Sequence, residues 1–144
     1  MTRFYGIDEA NALLGEVAPI LGALSDQRTE LIELRDRAVA ASPAEGEDGD
    51  EAAAEELRLL RLRMQGLIDQ MQAGVARLVD LDITLRDIAT GLIDFPALAS
   101  GRPIWLCWRL GEEDVGHWHR QDEGFGSRRP LAELPTGRSS GSLA

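Results

Sequence analysis

Apolar residues recur at three- and four-residue spacing through the first half of the chain and at two-residue spacing through much of the second, so the pattern predicts helices followed by strands. After an extended start at Arg3 to Tyr5, Ile7 to Gly15 reads as a short helix and Glu16 to Ala41 as a longer one. Pro19 is expected in the first turn of that second piece, where its missing N–H would be unpaired in any case. Val17, Ile20, Leu24, Leu31, Leu34 and Ala38 form an apolar stripe interrupted only at Gln27.

The helix is expected to stop in SPAEGEDGD, where proline, glycine and repelling carboxylates leave no apolar reason to collapse, giving an acidic loop over 42–52. From Glu51 to Asp82, Leu57, Leu60, Met64, Leu67, Met71, Gly74, Leu78 and Leu81 keep three and four spacing without a break. Such a seam, coiled-coil-like in period, predicts a helix of about 45 Å at 1.5 Å per residue, with Gly74 admitting close backbone approach. Two helices joined by a short loop fold back as an antiparallel hairpin. Leu59, Leu62, Ile68, Val75 and Val79 make the stripe wider than one partner helix covers. The excess is expected to lie against the following sheet and against a second copy of the chain in a homodimer.

Beyond Asp82 the period shortens. Ile83 and Leu85 alternate with polar neighbours, Leu92 to Phe95 precedes Pro96, ALASGR supplies a glycine turn before Pro103 to Leu110, and LGEEDVG leads into Val115 to Arg120. The fold class is therefore α+β: a long antiparallel helical hairpin followed by a small three- or four-stranded antiparallel sheet. One domain is expected over 1–132, with the N-terminal strand and hairpin in 1–82 and the sheet and a Gly/Arg loop in 83–132; 133–144 lacks apolar periodicity and is expected to be a disordered tail.

The formal net charge is -10, and the stretch from Ala44 to Glu56 holds seven carboxylates and no base. An acidic chain without a basic stripe repels phosphate backbones, so nucleic acid is not an expected partner. All 15 basic side chains are arginine, and seven of them fall in the two expected long helices, on their exposed positions. Asp8 and Glu9 interrupt the apolar core that an export signal requires, and no run approaches the ~18 apolar residues of a membrane span. With a single cysteine the chain forms no internal disulfide, and a reducing, cytoplasmic compartment with no membrane partner is the expectation.

Chemically distinctive residues concentrate between Gly91 and Pro130, which holds every tryptophan, both histidines and Cys107. In the strand from Pro103 to Leu110, Ile104, Leu106, Trp108 and Leu110 face one side and Trp105, Cys107 and Arg109 the other. A bare tryptophan face would be an interaction patch. His117 and His119 point the same way, about 6.6 Å apart along a strand. With Asp122 they are candidate ligands for a divalent metal, zinc or iron, the alternative being local hydrogen bonding at a wet strand end. Asp94 is a further candidate for the third ligand. Cys107, between tryptophans, is expected to be an inert thiol. GFGSRRP carries Arg128 and Arg129, which either cradle a small anion or pair with a nearby acid.

FYGIDEANALLGEVAPIL, GLIDFPALASGRPIWLCWRLGE and WHRQDEGFGSRRPL resemble, in that order and spacing, the family of domain of unknown function 2203, over Phe4 to Leu131. The family pattern matches at Asp94, Phe95, Pro96, Trp108, Gly111, Glu112, Trp118, His119, Gly124, Phe125 and Arg128, and His117 departs from it where an aromatic residue usually stands. The resemblance implies a bacterial, cytoplasmic protein and brings no established activity. Asp94, Trp108, Glu112, Trp118, His119, Phe125 and Arg128 are therefore the candidate functional residues. The leading functional expectation is an association or regulatory module acting through the hairpin and the tryptophan-bearing sheet, on itself or on a protein partner. The rival is a metal- or anion-binding site, hydrolytic in one version, with His119 as ligand or general base, Asp94 as its acid partner and Arg128 as anion clamp.

Overall fold

The computed structural model describes residues 3–43 and 51–135. Most of the expected acidic loop, at 44–50, and most of the expected tail, at 136–144, lie outside the described residues. Two long helices, α1 (Ile7–Ala41) and α2 (Glu51–Asp80), precede five strands: β1 (Thr84–Asp87), β2 (Leu92–Ala99), β3 (Arg102–Arg109), β4 (His117–Arg120) and β5 (Arg129–Pro130). The α+β class and the helical hairpin are as the periodicity predicts; the sheet has five strands rather than three or four. The additional strand is two residues long and carries no alternation of its own.

α1 is one helix, not two, and Pro19 stands in its interior. Ala10, Leu14, Val17, Leu21 and Leu24 form an unbroken buried stripe across the expected break. Pro19 itself is exposed, so the hydrogen bond it cannot make is lost on the solvent side. Helix entry is fixed at Gly6, whose N–H donates to Glu9 Oε1 at 3.1 Å. α2 ends in a reciprocal cap: Asp82 takes a left-handed φ of 60°, its N–H donates to Val79 O, and Ile83 N–H donates to Leu78 O. That cap turns the chain directly into β1.

The helices run antiparallel, as ion pairs Glu30–Arg63 and Glu16–Arg77 on one flank require. Gly74 admits the close approach its seam position suggests, since a Cβ there would stand 3.2 Å from Leu24 Cδ2. The sheet is a simple antiparallel meander in the order β1-β2-β3-β4-β5. Ser100 and Gly101, both with positive φ, form the two-residue turn between β2 and β3, whose right-handed twist demands that conformation. β2 runs straight through Pro96, which the alternation suggested as its end.

One face of the sheet packs on the lower hairpin, with Ile93, Phe95, Leu106, Trp108 and Trp118 meeting Leu14, Val17, Leu21 and Leu78 in the main core. Tyr5 closes the base, its hydroxyl donating to Leu81 O at 2.6 Å and its ring set edge-on to Phe95. A smaller cluster of Leu34, Leu60 and Leu67 is held by the two helices alone. Packing continues to the last described residues, where Leu134 is buried and Ser100 Oγ donates to Pro135 O.

Candidate functional site

The outward face of the sheet is built from the alternate residues. Register pairs Asp94 of β2 with Cys107 of β3, and Cys107 with His117 of β4, so the three stand in one row across three strands. His119 pairs with Trp105, one step along the same face. Alternation therefore brings to a single surface a carboxylate, a thiol and two imidazoles that the sequence separates by up to 25 positions.

Asp94, Cys107 and His119 are all buried, and one potential ligand atom from each lies within 4.8 Å of the others. His119 Nε2 stands 3.0 Å from Asp94 Oδ2, while its Nδ1–H donates to Arg120 O at 3.0 Å. A second donor, Arg86 Nε–H, reaches Asp94 Oδ2 at 2.7 Å. Asp94 Oδ1 is buried without a hydrogen-bond partner. A buried carboxylate oxygen left without a partner costs roughly 1–3 kcal/mol. Burial, and secondly the Asp94 charge, push the Cys107 thiol up to about 12. This agrees with the inert thiol expected from its neighbours and argues against a cysteine nucleophile.

The ring geometry of His119 decides between two roles. A general base needs one nitrogen free toward substrate, and here Nδ1 faces a carbonyl and Nε2 faces a carboxylate. Nε2 is thus directed at the Asp94 carboxylate, where a cation could be shared between the two. Donation of the other ring N–H to a backbone carbonyl is the usual support of a metal-ligating histidine.

The other sequence candidates separate from this cluster. His117 Nδ1 lies 3.8 Å from Glu112 Oε2 rather than joining His119. Asp122 is exposed and lines a different pocket, beside Arg102 and Arg120. The structure brings Asp94, Cys107 and His119 together and leaves His117 and Asp122 apart from them, Asp122 because it lies beyond the end of β4. Arg128, expected either to clamp an anion or to pair with a nearby acid, grips Glu112 with both terminal nitrogens at 2.9 and 3.2 Å. Glu112 also accepts from Arg109 N–H at 2.8 Å. Burial raises its pKa, but the Arg128 and Arg109 hydrogen bonds outweigh this and hold the carboxyl below the usual range.

Trp108 and Trp118 are buried at 3% and 1% exposure against the helices, so they belong to the core and do not form a bare aromatic patch. Trp118 is flanked by the Arg120 and Arg129 guanidinium groups at 5.6 and 5.2 Å. Phe125 begins a short 3-10 turn ending at Ser127. Arg86 was not among the sequence candidates. It sits at an irregularity in the β1–β2 register, and only the register reveals that it shares a face with Asp94. The Asp94–His119 pair opens onto a pocket of about 290 Å³, also lined by Arg86, Leu92, Glu123 and Gly124.

Fold and site together define an α+β protein in which a helical hairpin backs an antiparallel sheet with a buried polar cluster on its outward face. The chain belongs to the family described as Uncharacterized conserved protein (DUF2203), whose model matches residues 3–131. No curated protein and no solved structure matches the chain.

Proposed function

We propose that the protein binds one divalent transition ion, zinc or iron(II), through Asp94, His119 and the thiolate of Cys107, whose proton would be released as the ion binds, and presents it to the adjoining pocket. The observation that carries this reading is the convergence of three buried N, O and S donors within 4.8 Å. With metal–ligand bonds of 2.0–2.1 Å to N and O, tetrahedral ligands stand about 3.3 Å apart. The 3.0 Å between His119 Nε2 and Asp94 Oδ2 needs only a small opening to meet that spacing. A mixed N, O and S set suits zinc, and iron(II) tolerates it. The ion supplies Lewis acidity beside the pocket; Arg86 and the Arg120 carbonyl orient the carboxylate and the imidazole.

Elemental mass spectrometry on protein purified without a histidine tag tests the proposal. Near-stoichiometric metal is expected in the wild type, with loss in Asp94→Asn, Cys107→Ser and His119→Ala. Metal-free protein after reconstitution with both ions would instead leave His119 and Asp94 as a buried, structural hydrogen-bonded pair.

A second reading concerns the hairpin and is independent of the site. An apolar groove of about 560 Å³, lined among others by Leu31, Ile68, Met71, Val75 and Val79, runs along the hairpin, and Leu59, Leu62 and Val79 are more than half exposed. These residues support self-association through α2, since the small upper cluster has no sheet to cover it. Among the described residues no helix is long and apolar enough to cross a membrane. The reading takes the cytoplasm as the working compartment, where a lone buried thiol stays reduced.

A further inference from the structure

Arg86 is fixed in a way that its bond to Asp94 alone does not require. Its Nε–H donates to Asp94 Oδ2 at 2.7 Å, and its guanidinium lies over the Trp105 ring at 5.0 Å. Two anchors hold the plane, yet among the described residues the terminal Nη groups have no hydrogen-bond partner. Arg86 is also a wall of the pocket that opens over Asp94 and His119. The other arginine beside this pocket is committed: Arg129 grips Glu123 with both terminal nitrogens, at 2.9 and 3.0 Å. Glu123 is thereby neutralised, and the unspent donor capacity at the pocket belongs to Arg86. A guanidinium whose rotamers are already fixed loses little entropy when it accepts a planar oxyanion on its fork.

We infer that the pocket takes a small oxyanion, a carboxylate or a phosphate, seated on the Arg86 Nη groups beside the bound ion. The inference rests on the metal reading, because Asp94 would repel an anion unless a divalent cation offsets its charge. A pocket of about 290 Å³ restricts the ligand to a small molecule. Arg86 is a binding residue here, and its stacking on Trp105 gives the event an optical signature, since a ligand on the fork alters the indole environment.

Zinc-loaded protein is titrated calorimetrically with inorganic phosphate and, separately, with malonate, zinc content being measured on the same samples. Saturable one-to-one binding of at least one anion is expected, with a change in tryptophan fluorescence that Trp105→Phe removes. Binding by phosphate alone identifies a phosphorylated ligand, and binding by malonate alone a carboxylate. Arg86→Gln should weaken the interaction about tenfold or more, and Arg86→Lys, which keeps charge without the fork, by less. Far-ultraviolet circular dichroism and zinc content show whether each variant is folded and loaded. Absence of binding to fully loaded protein, or unchanged affinity in folded Arg86→Gln, overturns the inference and leaves the metal reading standing. If no zinc is retained by the wild type, the metal reading falls and the inference falls with it, an outcome distinct from loaded protein that binds no anion.

Discussion

Glu112 shows how one residue can look functional in sequence and act as a strut in the fold. Two bonds to Arg128 and one from the Arg109 N–H hold its carboxyl below the usual range despite burial. A carboxyl depressed in the folded state contributes stability above its unfolded pKa, and that contribution disappears as pH falls through the folded value. Glu112→Gln should therefore cost roughly 1–2 kcal/mol at pH 7 in urea unfolding. The gap between variant and wild type should close below about pH 4. A gap independent of pH would mean that shape, not charge, supplies the contribution. The same geometry explains why the site was only half legible. Asp94 and His119 stood out by residue type, and pairing of Arg128 with an acid was one of its two expected roles, but sequence does not show that the acid is Glu112. Cys107 is buried as its neighbours suggested, and its nearness to Asp94 follows only from strand register.

At the scale of elements, turns set that register, and the β1–β2 connection shows how. Asp87 Oδ2 accepts from the Thr90 hydroxyl and N–H, and Gly91 follows with a φ of 69°. A Cβ on Gly91 would stand 2.7 Å from Leu110 Cβ, so both backbone and space exclude a side chain. Gly91→Ala should destabilise by roughly 2–4 kcal/mol, combining left-handed strain with overpacking. A loss under about 0.5 kcal/mol on urea denaturation would show that the turn relaxes freely. Element type was readable wherever a buried stripe was long: α2 buries Leu60, Leu67 and Leu78 on the expected seam. The break assigned near Gly15 failed because continuous burial from Ala10 to Leu24 outweighs one hydrogen bond lost at Pro19. The fifth strand was invisible because two residues hold no period and owe their strand state to pairing with His117 and Trp118.

For the molecule as a whole, the hairpin extends beyond the sheet that supports its base. One flank is laced by Glu30–Arg63 and Glu16–Arg77, whereas the opposite side presents the groove containing Val75 and Val79. If that groove is the self-association surface, light scattering across a dilution series should give the mass of two chains at micromolar concentration. Val79→Glu should then give one without loss of helical signal. A monomeric wild type would set this reading aside without touching the site, because the sheet's outward face draws no ligand from the groove. The site follows from a division of the sheet into a helix-packed face and a face carrying Asp94, Cys107 and His119. Cobalt(II) titration of the metal-free protein tests its central claim most directly. One equivalent should produce thiolate-to-cobalt charge-transfer absorption in the near ultraviolet, and folded Cys107→Ser should lack it. A wild-type protein that shows no such absorption at excess cobalt would contradict metal binding by Asp94, Cys107 and His119.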